Sequence, residues 1–183
     1  MKSFLCKLLL KTFGWKFSGT LHDVNKAVVV AAPHTSNLDF IIGKLAYCMY
    51  NIKVSFLIKK ELFFFPLGNI LRAIGGIPVD RKKKNNIIEQ LVHLFKTKDK
   101  FLLTITPEGT RSRVERWKRG FYYIALKANV PVILGFINYR TKEIGMGPVF
   151  YPSGNEEKDV KIVKNYYKDA AEWARYPEKF SVS

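Results

Sequence analysis

The chain has 183 residues, 48% of them hydrophobic, and carries 31 Lys and Arg against 15 Asp and Glu, a formal net charge of +16. That length suits one domain with a sizeable core, and the apolar content excludes a disordered chain. The charge favours polyanionic partners such as nucleic acid, anionic lipid or phosphorylated small molecules without choosing among them.

The chain opens with MKSFLCKLLLKTFGWKF. Its basic and apolar residues resemble a signal peptide, but Lys7 and Lys11 interrupt the apolar stretch and no small-residue cleavage site is clear. Helical spacing instead gathers Phe4, Leu5, Leu8, Leu9 and Phe13 on one side and Lys7 and Lys11 on another, with Trp15 and Phe17 beyond. Such a pattern suits a membrane interface, and it equally suits a helix packed on the protein's own core. Residues 1–20 are therefore read as an amphipathic membrane-interface segment and 21–183 as a single domain. No uninterrupted apolar run approaches the ~18 residues of a membrane-spanning helix.

KAVVVAAP reads as a short buried strand ended by Pro33, Ser36 to Tyr50 as a helix, and VSFLIK as a second strand. ELFFFPLGNILRAIGG gives a short helix, a proline break and another helix closed by Gly75 and Gly76, and IPVDR follows as a brief strand. In NNIIEQLVHLFKTKDK, Ile87, Ile88, Leu91, Val92 and Phe95 fall on one helical face. FLLTITPEG is a strand leading into a turn, GFYYIALKANV a helix, PVILGFINY a strand and EIGMGPVFYP a closing strand. From about Lys158 a polar helix carries Tyr166, Tyr167, Ala170 and Trp173 as its apolar residues.

Strands alternating with helices predict an α/β architecture, a mostly parallel central sheet flanked by helices, with the short amphipathic helix at its N-terminus. Ligands of such sheets bind at the carboxyl ends of the strands. His34, Arg81 and Glu108 each follow directly on a predicted strand, so they can converge on one edge. Cys6 and Cys48 have no metal-ligand or redox spacing and read as reduced thiols, and His22, His34 and His93 form no zinc pattern.

In APHTSNLDF, His34 and Asp39 lie five positions apart. On one regular helix that separation turns through about 500°, which keeps the side chains apart. They can meet if His34 sits in a loop and Asp39 in the first helical turn. Ser36 to Asp39 reads S-x-x-D, a capping-box variant, so Asp39 can simply satisfy a helix N-terminus. The functional alternative is a His–Asp dyad. An imidazole removes a proton from a hydroxyl as it attacks, and a carboxylate on the other ring nitrogen fixes the tautomer. No serine or cysteine nucleophile is indicated, so the nucleophile would be the substrate's own hydroxyl.

TPEGTRSR adds a turn with Glu108, Arg111 and two hydroxyls, suited to an anion, and GGIPVDR places Arg81 at a strand end where its planar fork can hold a phosphate. PHTSNLD, GGIPVDR, TPEGTRS and VPVILG, in this order and spacing, resemble the four sequence blocks of the lysophospholipid and glycerol-phosphate acyltransferase family, over roughly Pro33 to Gly135. The resemblance implies that His34 is the general base, that Asp39 orients it, and that Arg81, Glu108, Gly109, Thr110 and Arg111 belong to the acceptor-phosphate site. It implies a fatty acyl thioester donor, on coenzyme A or acyl carrier protein, and a lysophospholipid acceptor, foremost 1-acyl-glycerol 3-phosphate. It implies no metal or other cofactor. Phe4, Leu5, Leu8, Leu9, Phe13 and Trp15 would then touch an anionic membrane, peripherally, on its cytoplasmic face. The chain departs from the family pattern at Pro33 and Thr106. Rival readings are another lyso-lipid or amino-lipid acceptor, or a basic, non-catalytic domain that binds lipid or nucleic acid. The last leaves the His–Asp block without a role and shows no nucleic-acid module, so no nucleic acid is expected.

Overall fold

The computed structural model describes residues 2–80 and 84–182. Its strands are β1 (Lys16–Gly19), β2 (Lys26–Ala31), β3 (Val54–Lys59), β4 (Gly76–Val79), β5 (Phe101–Ile105), β6 (Val132–Asn138) and β7 (Glu143–Phe150), joined in one sheet in the order β1-β7-β6-β2-β5-β3-β4. The stretch β6-β2-β5-β3-β4 is parallel, β7 runs antiparallel to β6, and β1 runs parallel to β7. The helices are α1 (Lys2–Thr12), α2 (Asn37–Met49), α3 (Leu67–Ala73), α4 (Lys84–Thr97), α5 (Gly120–Ala128) and α6 (Glu156–Tyr166).

Strand β2 explains why both sheet faces are covered. Successive side chains point to opposite faces. Val28 and Val30 join the larger core, with Leu103, Leu134 and the inward residues of α4, α5 and α6, such as Leu91, Phe121 and Val163. Ala27 and Val29 join Ile133 and Met146 on the other side, where Tyr47 of α2 packs. Because both faces are buried, the strand is a continuous apolar run instead of an alternating one. The parallel order also sends the chain ends after β2, β4, β5 and β6 to the same edge of the sheet.

The first 20 residues pack onto this architecture. β1 pairs with β7 from Lys16 against Glu143 to Gly19 against Met146, and Leu10 packs with Ile42, Ala46 and Ile144. The approach of β1 is so close that a Cβ on Gly145 would collide with the Ser18 carbonyl, and one on Gly19, at φ +88°, with the Met146 carbonyl. Cys6 and Cys48 form a disulfide between α1 and α2, with Cα atoms 6.1 Å apart. That corrects the expectation of two reduced thiols: helix packing brings together residues 42 positions apart that carry no local spacing signal.

The tail also differs from expectation. Asn155 caps α6 by accepting from the Lys158 amide at 3.1 Å. The helix stops at Tyr166, and the chain continues through short 3-10 turns at Ala170–Trp173 and Pro177–Lys179. Tyr167, Ala170 and Phe180 are all buried in the larger core. The Tyr167 hydroxyl reaches the carbonyls of Val30 and Gly135 at 2.8 and 2.7 Å. These tertiary contacts override the helical periodicity of the segment.

Candidate active site

The chain leaves β2 through a cis Ala32–Pro33 peptide and reaches His34 before α2 begins. Ser36 is the N-cap, extended at φ −141° and ψ 154°, and its Oγ accepts from the Leu38 amide at 3.1 Å. Asp39, in the first turn, returns its Oδ2 to the amides of Ser36 and Thr35, both at 2.8 Å. The same Oδ2 lies 3.2 Å from His34 Nδ1. The capping box and the dyad are therefore one construction: the cap fixes the carboxylate, and the loop residue outside the helix turns back onto it.

Asp39 is only 5% exposed, and burial works to raise its pKa. Hydrogen bonds from His34, Tyr139 and the Ser36 amide together outweigh that effect and hold the carboxyl below its ordinary value. An ionised Asp39 selects the imidazole tautomer with the proton on Nδ1, which leaves Nε2 as the ring's acceptor. His34 lines a cavity of about 1280 Å³ that is bordered by α2, the strand ends and residues of α4 and α5. Its walls are mainly apolar, including Ala46, Phe56, Ile58 and Met146, and Gly43 faces open space there.

The segment after β5 meets this loop from below and at the rim. Glu108 is 2% exposed; its Oε1 accepts the His34 amide at 2.9 Å, and its Oε2 has no partner among the described residues. Burial, reinforced by the Asp39 charge, pushes the carboxyl up to about 8 against the lowering effect of the Glu108 and His34 amides. Glu108 thus sits against the His34 backbone, while Gly109, Thr110 and Arg111 line the cavity. Gly109 adopts φ +63°, a left-handed conformation that favours glycine, and a Cβ there would displace the end of the Lys118 side chain. Lys118 and Arg119 line the same rim, and Arg119 is held by Glu156 at 2.8 Å. Arg81 lies outside the described residues.

Tyr139 was absent from the sequence-derived site. It follows β6 and its hydroxyl donates to Asp39 Oδ1 at 2.6 Å. The signal was available: PVILGFINY ends a predicted strand at the same sheet edge as His34 and Glu108. Phe4, Leu5, Leu8 and Leu9 on α1 and Phe13 in the turn after it are exposed. Trp15 instead packs edge-on against Tyr139, ring centroids 5.1 Å apart. Among the described residues, no helix is long and apolar enough to cross a membrane, and no group of three or more His, Cys, Asp or Glu could hold a metal ion.

The fold is a mostly parallel α/β sheet with an imidazole–carboxylate pair at the carboxyl edge, where ligands of such sheets bind. The chain belongs to the acyltransferase family, whose model, described as "Acyltransferase", matches residues 16–134. Its chemistry is acyl transfer. No curated protein matches the chain at a significant level. Among solved structures, the chain is similar to the 1-acyl-sn-glycerophosphate (LPA) acyltransferase PlsC from Thermotoga maritima, with a TM-score of 0.61 and 20% identity over 94% of this chain and 80% of that one. At that identity the likeness defines the fold.

Proposed function

We propose that the chain is a membrane-associated O-acyltransferase that moves a fatty acyl group from a thioester of coenzyme A or acyl carrier protein to a lysophospholipid hydroxyl, with 1-acyl-glycerol 3-phosphate as the acceptor. The observation that carries this reading is the position of His34: backed by a buried carboxylate, it opens onto a large apolar cavity whose rim bears Arg111 and Lys118. The cavity exceeds the ~300–1,000 Å³ of ordinary small-molecule pockets, and its apolar walls leave ample room for a hydrocarbon chain. His34 Nε2 takes the acceptor's hydroxyl proton while the oxygen attacks the thioester carbonyl. The tetrahedral oxyanion collapses, the C–S bond breaks, and the imidazolium returns its proton to the departing thiolate. Asp39 stabilises the imidazolium between those steps.

The acceptor phosphate is assigned to the rim, with Arg111 as its chief cation, Thr110 and Gly109 beside it, and Arg81 as a further candidate. Glu108 is not suited to meet a phosphate, because its carboxyl is buried against the His34 amide. It is assigned instead to holding the loop that carries the base. Purified protein incubated with a panel of lyso-lipids and acyl thioesters, read by mass spectrometry, tests the function. Acylation of an amino-lipid in preference to phosphate-bearing acceptors would sink the acceptor assignment. Arg111→Ala should raise the acceptor KM by at least tenfold with kcat little changed, the kinetic pattern of a lost binding contact. An unchanged KM would remove Arg111 from the phosphate site.

Docking on the cytoplasmic face of a membrane is supported by Phe4 on α1 and Phe13 in the turn just after it, 72% and 65% exposed, with Lys7 and Lys11 on the same helix. Aromatic side chains and Lys at an anionic surface add their affinities. Replacing both Phe4 and Phe13 by Ser should lower binding to anionic vesicles by on the order of 100-fold, from ~1.5 kcal/mol or more per buried ring. Co-sedimentation measures this, and unaltered binding would place the membrane contact elsewhere.

A further inference from the structure

Asp39 has more demands on it than a dyad alone requires. Its Oδ2 already receives the amides of Thr35 and Ser36 and faces His34 Nδ1. The other oxygen, Oδ1, receives the Tyr139 hydroxyl at 2.6 Å, a short hydrogen bond of the charge-assisted kind. Tyr139 reaches it from a separate part of the fold, 100 residues away in the chain. Its backbone amide is fixed by the Trp173 carbonyl at 2.8 Å, and its ring by the edge-on contact with Trp15. A phenol held on three sides, donating to a buried carboxylate that itself supports the base, is placed to act on the reaction through that carboxylate.

We propose that Tyr139 is a positioning residue for acyl transfer: by donating to Asp39 Oδ1 it fixes the rotation of the carboxylate and sets the proton affinity of His34. The proposal rests on the reading of His34 as the base. The phenol keeps its proton throughout, since burial and the adjacent Asp39 carboxylate push its pKa well above the ordinary value. It spreads part of the Asp39 charge away from the ring. Without it, more of that charge faces His34, the imidazolium is favoured, and the histidine becomes a stronger base that is protonated, and so unavailable, at a higher pH. Among the described residues, the other ionisable groups facing this cluster are Glu108 beneath the His34 amide, Arg175 and Tyr176 from the C-terminal segment, where Arg175 lies 3.4 Å from Ser36 Oγ and the Tyr176 amide 3.3 Å from Thr35 Oγ1, and, along the shared cavity, Arg111, Lys118 and Arg119.

Tyr139→Phe in the full-length chain keeps the ring and its Trp15 contact and removes only the donor. The expected result is a protein with a wild-type melting profile, kcat lower by about tenfold, thioester and lyso-acceptor KM values unchanged, and the acid limb of kcat/KM displaced to higher pH. NMR titration of the His34 ring should show the same upward displacement in the absence of substrate, and again in a Glu108→Gln background, which removes the neighbouring carboxyl, itself pushed up to about 8. A His34 titration that superimposes on wild type in Tyr139→Phe overturns the proposal by itself. Wild-type turnover in His34→Ala overturns the reading of the dyad, and the catalytic role of Tyr139 with it, whatever the titration shows.

Discussion

Replacing His34 by Ala is expected to lower kcat by ~10²–10⁴-fold, the usual contribution of a positioned general base, while leaving the fold in place. The side chain is 22% exposed and pairs with Asp39, so little packing is lost. Asp39→Asn should cost at least ~10²-fold for a different reason. An amide oxygen can still accept from Thr35, Ser36 and His34, which preserves the cap of α2. The negative charge that stabilises an imidazolium is gone. In barrier terms a 10²-fold loss is about 2.7 kcal/mol. Steady-state acylation rates together with thermal melts separate lost chemistry from lost structure. Wild-type turnover in His34→Ala would remove the base from His34, and in Asp39→Asn it would remove the carboxylate from the dyad.

The second large effect concerns stability. Glu108 has a raised pKa, about 8 in the fold against an ordinary 4.5, chiefly because it is buried. Between those two values the folded chain keeps a proton that the unfolded chain has released. Its contribution to stability is therefore full below about 4.5, falls as pH rises, and is gone above about 8. The slope approaches ~1.4 kcal/mol per pH unit, so the total is on the order of a few kcal/mol. Asp39 acts with the opposite sign and in a different range, because its pKa is depressed: its contribution is lost only as pH falls below the ordinary carboxylate value. Glu108→Gln can keep an oxygen on the His34 amide and cannot titrate. Urea unfolding from pH 5 to 8.5 should show wild-type stability declining and a flatter curve for the variant. Parallel curves would mean that Glu108 is ionised throughout.

Much of the architecture was legible because it rests on local pattern. The apolar runs at Lys26–Ala31, Val54–Lys59 and Val132–Asn138 are strands in the fold, and the five aligned apolar residues of α4 mark a helix. β1 escaped because KFSG has no strand periodicity of its own; its conformation comes from the pairing with β7. The tail read as one helix because Tyr166, Tyr167, Ala170 and Trp173 are helically spaced, yet burial of Tyr167 beneath β2 and β6 required the chain to turn.

For the candidate site the division is similar. S-x-x-D announced a helix start, and the strand-end positions of His34 and Glu108 announced a common edge. The sequence by itself therefore determined the α/β class, the cap of α2 and the presence of a histidine and an aspartate beside it, because each depends on residues within a turn or a strand of one another. Tertiary structure alone decided that Glu108 lies under the His34 amide, that Cys6 meets Cys48, and that Tyr139 reaches the second oxygen of Asp39. Those contacts join residues 74, 42 and 100 positions apart. Their geometry comes from sheet order and helix packing, which no local spacing encodes.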